Sequence, residues 1–252
     1  MCLILLAVGV SDSYPLVIAA NRDEFFARPT QAVDFWPGTD LLAGRDQRQG
    51  GSWFGVTRQG RVAMVTNVRS TREESSLRSR GHLVRDFLLS DEEPEDFLAG
   101  AVEPADKYPG FNLIAGDIDS LWFGSNRGAN PRTIGHGFHG LSNASLDTPW
   151  PKVTQGKAEL EQLLASDRTD LVDGLFSLLQ DRTLAADAEL PATGVSLEWE
   201  RILSARFIHG ADYGTRSSTL LVVDRQRQAR FIERSFTADG INNQDREFIL
   251  QF

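Results

Sequence analysis

Short apolar runs separated by turn residues open the chain. Residues 3–8 and 16–20 are continuous apolar segments of strand length, and Ser11-Asp12-Ser13-Tyr14-Pro15 lies between them. Apolar runs flanking a cluster of turn formers predict a β-hairpin. Residues 53–57 and 62–66 predict a second strand pair around Arg58-Gln59-Gly60. The intervening stretch 28–51 is rich in Gly and Asp and reads as loop around one short strand at Leu41-Leu42. The period then changes. Leu83, Val84, Phe87 and Leu88 recur at i, i+1, i+4 and i+5, which predicts an amphipathic helix over 81–90. Residues 94–102 predict a second helix, with Pro94 at its start and Glu95 and Asp96 in its first turn. Strands are expected at 111–115, 121–124 and around 137–141. Helices follow at 152–166 and 170–180, with Leu160, Leu163, Leu164, Leu171, Leu175 and Leu178 on their inner faces. A short helix at 198–204 and strands at 217–224 and 230–235 complete the pattern.

Strand clusters at both ends with helices between them indicate an α+β fold whose sheets are closed by distant segments. No repeat or linker divides the chain, so residues 1–252 read as a single domain. The composition, 41% hydrophobic and 24% charged, is that of a globular protein able to bury a sizeable core. A net charge of −9 argues against nucleic acid as a partner, because such binding neutralises phosphate. The apolar start lacks a basic leader and is too short to span a membrane, so no membrane span and a cytoplasmic location are expected. One cysteine excludes an internal disulfide. His136 and His139 stand three apart in a strand-like stretch, on opposite faces, and no metal site is expected. The oligomeric state is left open.

That single cysteine is Cys2, directly after Met1. Removal of Met1 would leave a thiol and a free α-amine on one residue, and such an amine can serve as base for its own nucleophile. Cys2 read otherwise is a small hydrophobe opening a buried strand. Asn21-Arg22-Asp23-Glu24 follows the second apolar run and is either a solvated strand end or a polar group set beside Cys2 by the hairpin. In the second case a carboxylate orients the amine and an arginine lowers the thiol pKa. Asn67 and Asn143, each at a strand end, are candidate oxyanion donors. Arg216, in Tyr213-Gly214-Thr215-Arg216-Ser217-Ser218, is a candidate partner for a buried carboxylate or a substrate anion, or else a plain loop residue. Trp36, Trp53, Phe25 and Phe26 line a pocket or fill the core. The stretch 69–80 is locally basic and suits propionates or phosphates, with a solvated loop as its simpler reading.

Met1-Cys2, Ala19-Ala20-Asn21-Arg22-Asp23-Glu24-Phe25, Arg28-Pro29, Gly50-Gly51-Ser52-Trp53-Phe54-Gly55, Thr66-Asn67 and Tyr213-Gly214-Thr215-Arg216 together resemble the NRDE-domain family, the transport and Golgi organisation protein 2 family. The resemblance covers nearly the whole chain. It implies an N-terminal-nucleophile (Ntn) hydrolase-like αββα sandwich of two mainly antiparallel sheets. It further implies Cys2 as nucleophile, Asp23 beside its amine, Asn67 and Asn143 at the oxyanion and Arg216 near the nucleophile. Asn21, Arg22, Glu24 and Trp53 are expected to bind substrate. Where the superfamily has an arginine three residues before the aspartate, this chain has Ala20 and carries Arg22 inside the motif. The expected function is hydrolysis or transfer of an acyl group at an amide or thioester bond of a small acyl substrate, with no cofactor required. The alternative is a non-catalytic carrier of haem or an acyl-CoA-like lipid, with the Cys2 thiolate as a haem ligand.

Overall fold

The computed structural model describes residues 2–69, 78–103, 107–166 and 170–252, with the backbone alone at Cys2 and at 242–244. Its elements run β1 (Cys2–Val8), β2 (Leu16–Phe25), β3 (Thr30–Phe35), β4 (Leu41–Asp46), β5 (Phe54–Thr57), β6 (Arg61–Asn67), α1 (Gly81–Leu88), α2 (Pro94–Val102), β7 (Phe111–Asp117), β8 (Leu121–Ser125), β9 (Ala129–Thr133) and β10 (Gly137–Leu141). They continue with α3 (Pro151–Ala165), α4 (Leu171–Leu179), α5 (Leu197–Ser204), β11 (Tyr213–Val223), β12 (Gln228–Phe236) and β13 (Asn242–Gln251). The contacts divide into two compact units. One comprises the residues up to Ala27, His136–Ser142 and Leu146–Ile249; the other comprises Arg28–Gly135, Asn143–Ser145 and Leu250–Phe252.

The first unit is built on a sheet of order β10-β1-β2-β11-β12-β13. β1 and β2 form the predicted hairpin, with Ile4 opposite Ala20 and Leu6 opposite Ile18. Leu3, Leu5, Ala7, Val17 and Ala19 point to one face. They pack there with Val153 and Leu160 of α3 and Leu175 and Leu178 of α4. Each such leucine contributes roughly 1.5–3 kcal/mol on burial. Ile4, Leu6, Leu16 and Ile18 on the opposite face are buried too. Burial on both faces is why these strands read as unbroken apolar runs. α3 lies close on the sheet because Gly140 leaves room for it: a Cβ there would sit 2.7 Å from Val153 Cγ1.

The second unit holds a sheet of order β3-β4-β5-β6-β7-β8-β9, an antiparallel meander with α1 and α2 between β6 and β7. Leu83, Val84, Phe87 and Leu88 of α1 and Leu98, Ala101 and Val102 of α2 bury themselves on Ala63, Val65, Leu113 and Ala115 of this sheet. The glycine pair before Ser52 also has a packing reason. Gly50 has φ of 75°, and a Cβ on Gly51 would lie 2.3 Å from the Gly81 carbonyl carbon. The chain thus passes against the first residue of α1, where Ser52 N–H donates to Gly81 O at 3.0 Å.

Most predicted elements stand within a few residues of their expected bounds. The stretch 28–51, expected to be loop with one short strand, instead carries β3 and a six-residue β4. β9 and β13 lie where no strand was expected. Among the described residues no helix is long and apolar enough to cross a membrane.

Candidate active site

The hairpin register places the polar end of β2 beside the start of β1. Cys2 stands opposite Arg22, and Leu3 opposite Asn21. β11 flanks β2 on its other side, with Thr215 opposite Asp23, Ser217 opposite Arg22 and Ser218 opposite Asn21. The register shifts between Thr215 and Ser217, so Arg216 is the extra residue of a β-bulge. A bulge breaks the two-residue alternation. Thr215 can therefore share a face with Asp23 while Ser217, two residues on, shares the opposite face with Arg22.

On the helix-covered face the network is dense. Asp23 is buried, and its Oδ1 accepts from Thr215 Oγ1 at 2.7 Å. Thr215 Oγ1 in turn accepts from Ile208 N–H at 2.9 Å, and Thr215 N–H donates to Ile208 O. Burial raises the Asp23 carboxyl above its ordinary pKa. The positive charges of Lys152 and Arg22 and the Thr215 hydrogen bond oppose that rise. Lys152 is the unanticipated member of the set. It follows Pro151 at the start of α3, is 3% exposed, and its Nζ donates to Leu203 O at 2.9 Å. Asn21 Nδ2 donates to Leu179 O at 2.8 Å and Arg206 O at 2.7 Å, and its Oδ1 accepts from Ser218 Oγ at 2.6 Å. Its amide therefore anchors the end of α4 and the 206 segment to β2. Glu24 is partly exposed; its Oε1 accepts from Phe25 N–H at 2.9 Å and its Oε2 lies 3.9 Å from Arg22 Nη2.

Arg216 Nη1 donates to Phe25 O at 3.0 Å and Phe26 O at 3.3 Å, and its guanidinium lies over the Phe26 ring. Its pKa is lowered from the ordinary arginine value, first by burial and then by the like charge of Arg22. The two arginines are thus electrostatic neighbours.

In the second unit the structure brings together the two asparagines singled out from the sequence, 76 positions apart. Asn143 Nδ2 donates to Asn67 O at 2.9 Å and to Asn67 Oδ1 at 3.0 Å. Arg69 N–H donates to Asn143 O at 2.9 Å. This arrangement fixes the Asn67 amide with its oxygen toward Asn143 and its Nδ2 as the donor left to offer. Asn112, not anticipated, holds the same corner: its Nδ2 donates to Thr66 Oγ1 at 3.1 Å and to Ala144 O at 2.7 Å. Trp53 supplies its carbonyl to Val65 N–H at 2.9 Å. Trp36 belongs to the core of its unit and donates from Nε1 to Ala43 O at 3.1 Å, whereas Phe25 is 53% exposed. The reading of Met1 as removable lies outside the described residues, as does most of the basic stretch 69–80.

The family model described as Transport and Golgi organisation 2 matches residues 1–238. The chain is 35% identical to the Transport and Golgi organization protein 2 homolog of Bos taurus over 241 residues, 89% of this chain and 87% of the bovine protein. It is 26% identical to Transport and Golgi organization protein 2 of Drosophila melanogaster, covering 89% of this chain and 87% of the fly protein. Among solved structures it is similar to the Caenorhabditis elegans N-acylethanolamine-hydrolyzing acid amidase ortholog. There the TM-score is 0.53 at 14% identity, over 88% of this chain and 92% of that one. The fold is therefore the α+β fold of Ntn hydrolases, with mainly antiparallel sheets.

Proposed function

The chain belongs to the Transport and Golgi organisation 2 family, and we propose that it is an N-terminal-cysteine hydrolase or acyltransferase acting on an amide or thioester of a small acyl substrate. The observation that carries this reading is the register: Cys2 opposite Arg22, with the buried Asp23 next in β2 and tied to Thr215. The similarity in fold to a worm amidase supports a carbonyl substrate.

In the proposed cycle Met1 has been removed. The Cys2 α-amine takes the thiol proton, and the sulfur attacks the substrate carbonyl carbon. An S–C bond forms and the carbonyl electrons move to oxygen; the family resemblance implies Asn67 and Asn143 as the donors to that oxyanion. As the carbonyl reforms, the C–N or C–S bond breaks and the ammonium returns its proton to the leaving group. Water, or an acceptor amine or alcohol, then attacks the thioester carbonyl and gives a proton to the α-amine; the S–C bond breaks, the acid or the transferred acyl product leaves, and the ammonium returns the proton to the Cys2 sulfur. Asp23 holds and orients the α-ammonium, with Thr215 fixing the carboxylate. Arg22 and Arg216 favour the thiolate.

Turnover of a panel of N-acyl amides and acyl thioesters tests the reading. Cys2→Ala is expected to abolish turnover, and Asp23→Asn to lower kcat with the fold retained. Turnover by Cys2→Ala at the rate of the natural chain would refute it.

A further inference from the structure

The face of the first sheet opposite its helices carries a polar row that the proposed cycle uses only in part. One line of register runs Cys2, Arg22, Ser217, Ser235 across β1, β2, β11 and β12. Directly paired residues of antiparallel strands share a face. Arg22 and Ser217 therefore project to the same side, beside the Cys2 position. Both are buried, at 6% and 4% exposure.

Ser217 Oγ has no hydrogen-bond partner among the described residues. A buried hydroxyl left unbonded costs roughly 1–3 kcal/mol. Native structures keep few such groups, and each calls for a reason such as a ligand. The adjacent cation sharpens the point. Arg22 Nη2 lies 3.9 Å from Glu24 Oε2, and its charge works against that of Arg216, the bulge residue next to Ser217. Two guanidinium groups and an unbonded buried hydroxyl thus stand side by side in a protein of net charge −9, a local set of donors suited to an anion. Guanidinium forks match the oxygens of carboxylate and phosphate, and a serine hydroxyl donates to either.

We propose that Arg22 and Ser217, backed by Arg216, bind an anionic oxygen group of the substrate, a carboxylate or a phosphate, beside the Cys2 position. This deepens the acyl-hydrolase reading and rests on it for the meaning of "substrate". The anion site itself is testable without turnover.

The experiment measures binding to the full chain carrying Cys2→Ala by calorimetry, using two matched probe pairs. N-decanoylglycine is compared with its methyl ester, and S-decanoyl phosphopantetheine with S-decanoyl pantetheine. The expected result is at least about tenfold tighter binding of one charged member than of its neutral twin, the size expected for a charge-assisted hydrogen bond. Which pair discriminates identifies carboxylate or phosphate. Arg22→Gln is expected to bring the twins within about threefold of one another, Arg22→Lys to restore part of the difference, and Ser217→Ala to reduce it without moving the neutral probe. Thermal melts establish that each variant is folded. Equal binding of charged and neutral twins, or no binding of either anion up to millimolar concentration, overturns the proposal. So does a charge preference unchanged in Arg22→Gln. Charge-selective binding with no turnover by the natural chain would leave the anion site standing and remove the hydrolase reading; turnover indifferent to charge would do the reverse.

Discussion

Replacing Thr215 by valine removes one hydroxyl and almost no volume, which isolates the contact that holds Asp23. Thr215 Oγ1 donates to Asp23 Oδ1 at 2.7 Å and accepts from Ile208 N–H at 2.9 Å. A hydrogen bond to a charged group contributes about 1.5–3 kcal/mol, and a buried N–H left unbonded costs about 1–3 kcal/mol. The two effects share one atom and are not additive, so a loss of about 3 kcal/mol at pH 8 is expected. The dependence on pH follows from the raised pKa of Asp23, caused first by burial. The folded protein binds that proton more tightly than the unfolded chain does. Stability therefore declines as pH rises from the ordinary carboxylate range through the raised folded pKa. Valine removes a hydrogen bond that favours the carboxylate and raises that pKa further, so its deficit at pH 8 is no smaller than at pH 5. Thr215→Ser keeps the hydroxyl and recovers most of the loss. Urea unfolding of the three proteins at both pH values measures this. A deficit below about 0.5 kcal/mol at pH 8, or one larger at pH 5, would refute the reasoning.

Gly51→Ala places a Cβ 2.3 Å from backbone that cannot withdraw, and is expected to destabilise by about 1–3 kcal/mol or more, read as a lower urea midpoint. Asn67→Ala is expected to lower kcat by about 10²–10³-fold with the melting temperature nearly unchanged, and Asn143→Ala to have a smaller effect through disorientation of Asn67. Burial works to raise the Asp181 pKa, but hydrogen bonds from Thr183 and Arg206 prevail and hold it below the ordinary value. Its contribution is present above the ordinary carboxylate range and is lost as pH falls toward the lowered pKa, so Asp181→Asn is expected to flatten the acid limb of stability against pH.

The elements legible in the chain are those that bury much. β1 and β2 are apolar on both faces, and α1 places Leu83, Val84, Phe87 and Leu88 on one stripe, so each announces its period. The strands that escaped notice are β3, β9 and β13, all at sheet edges. β3 buries only Val33 fully and carries a register shift, and β9 is Ala-Asn-Pro-Arg-Thr with no buried residue. An edge strand needs no continuous apolar face, and charge or proline there guards against mispairing. At the site, the hairpin made the nearness of Arg22 to Cys2 derivable. Thr215 and Ser217 lay in a segment already singled out, but the bulge at Arg216 decides which face each takes, and a bulge leaves no periodic trace. Lys152 sits in an ordinary helix start, and its burial depends on Leu203, 51 residues on. Asn112 stands within the apolar run of β7, where only the contacts to Thr66 and Ala144 give it a role.

The central claim is that Cys2, with a free amine, carries the acyl group. Acid-quenching a reaction with a decanoyl thioester during turnover and weighing the N-terminal peptide tests it most directly. The account predicts a peptide that begins at Cys2 and is heavier by one decanoyl group. A peptide that begins at Met1 and carries no acyl group while substrate is being consumed would contradict it.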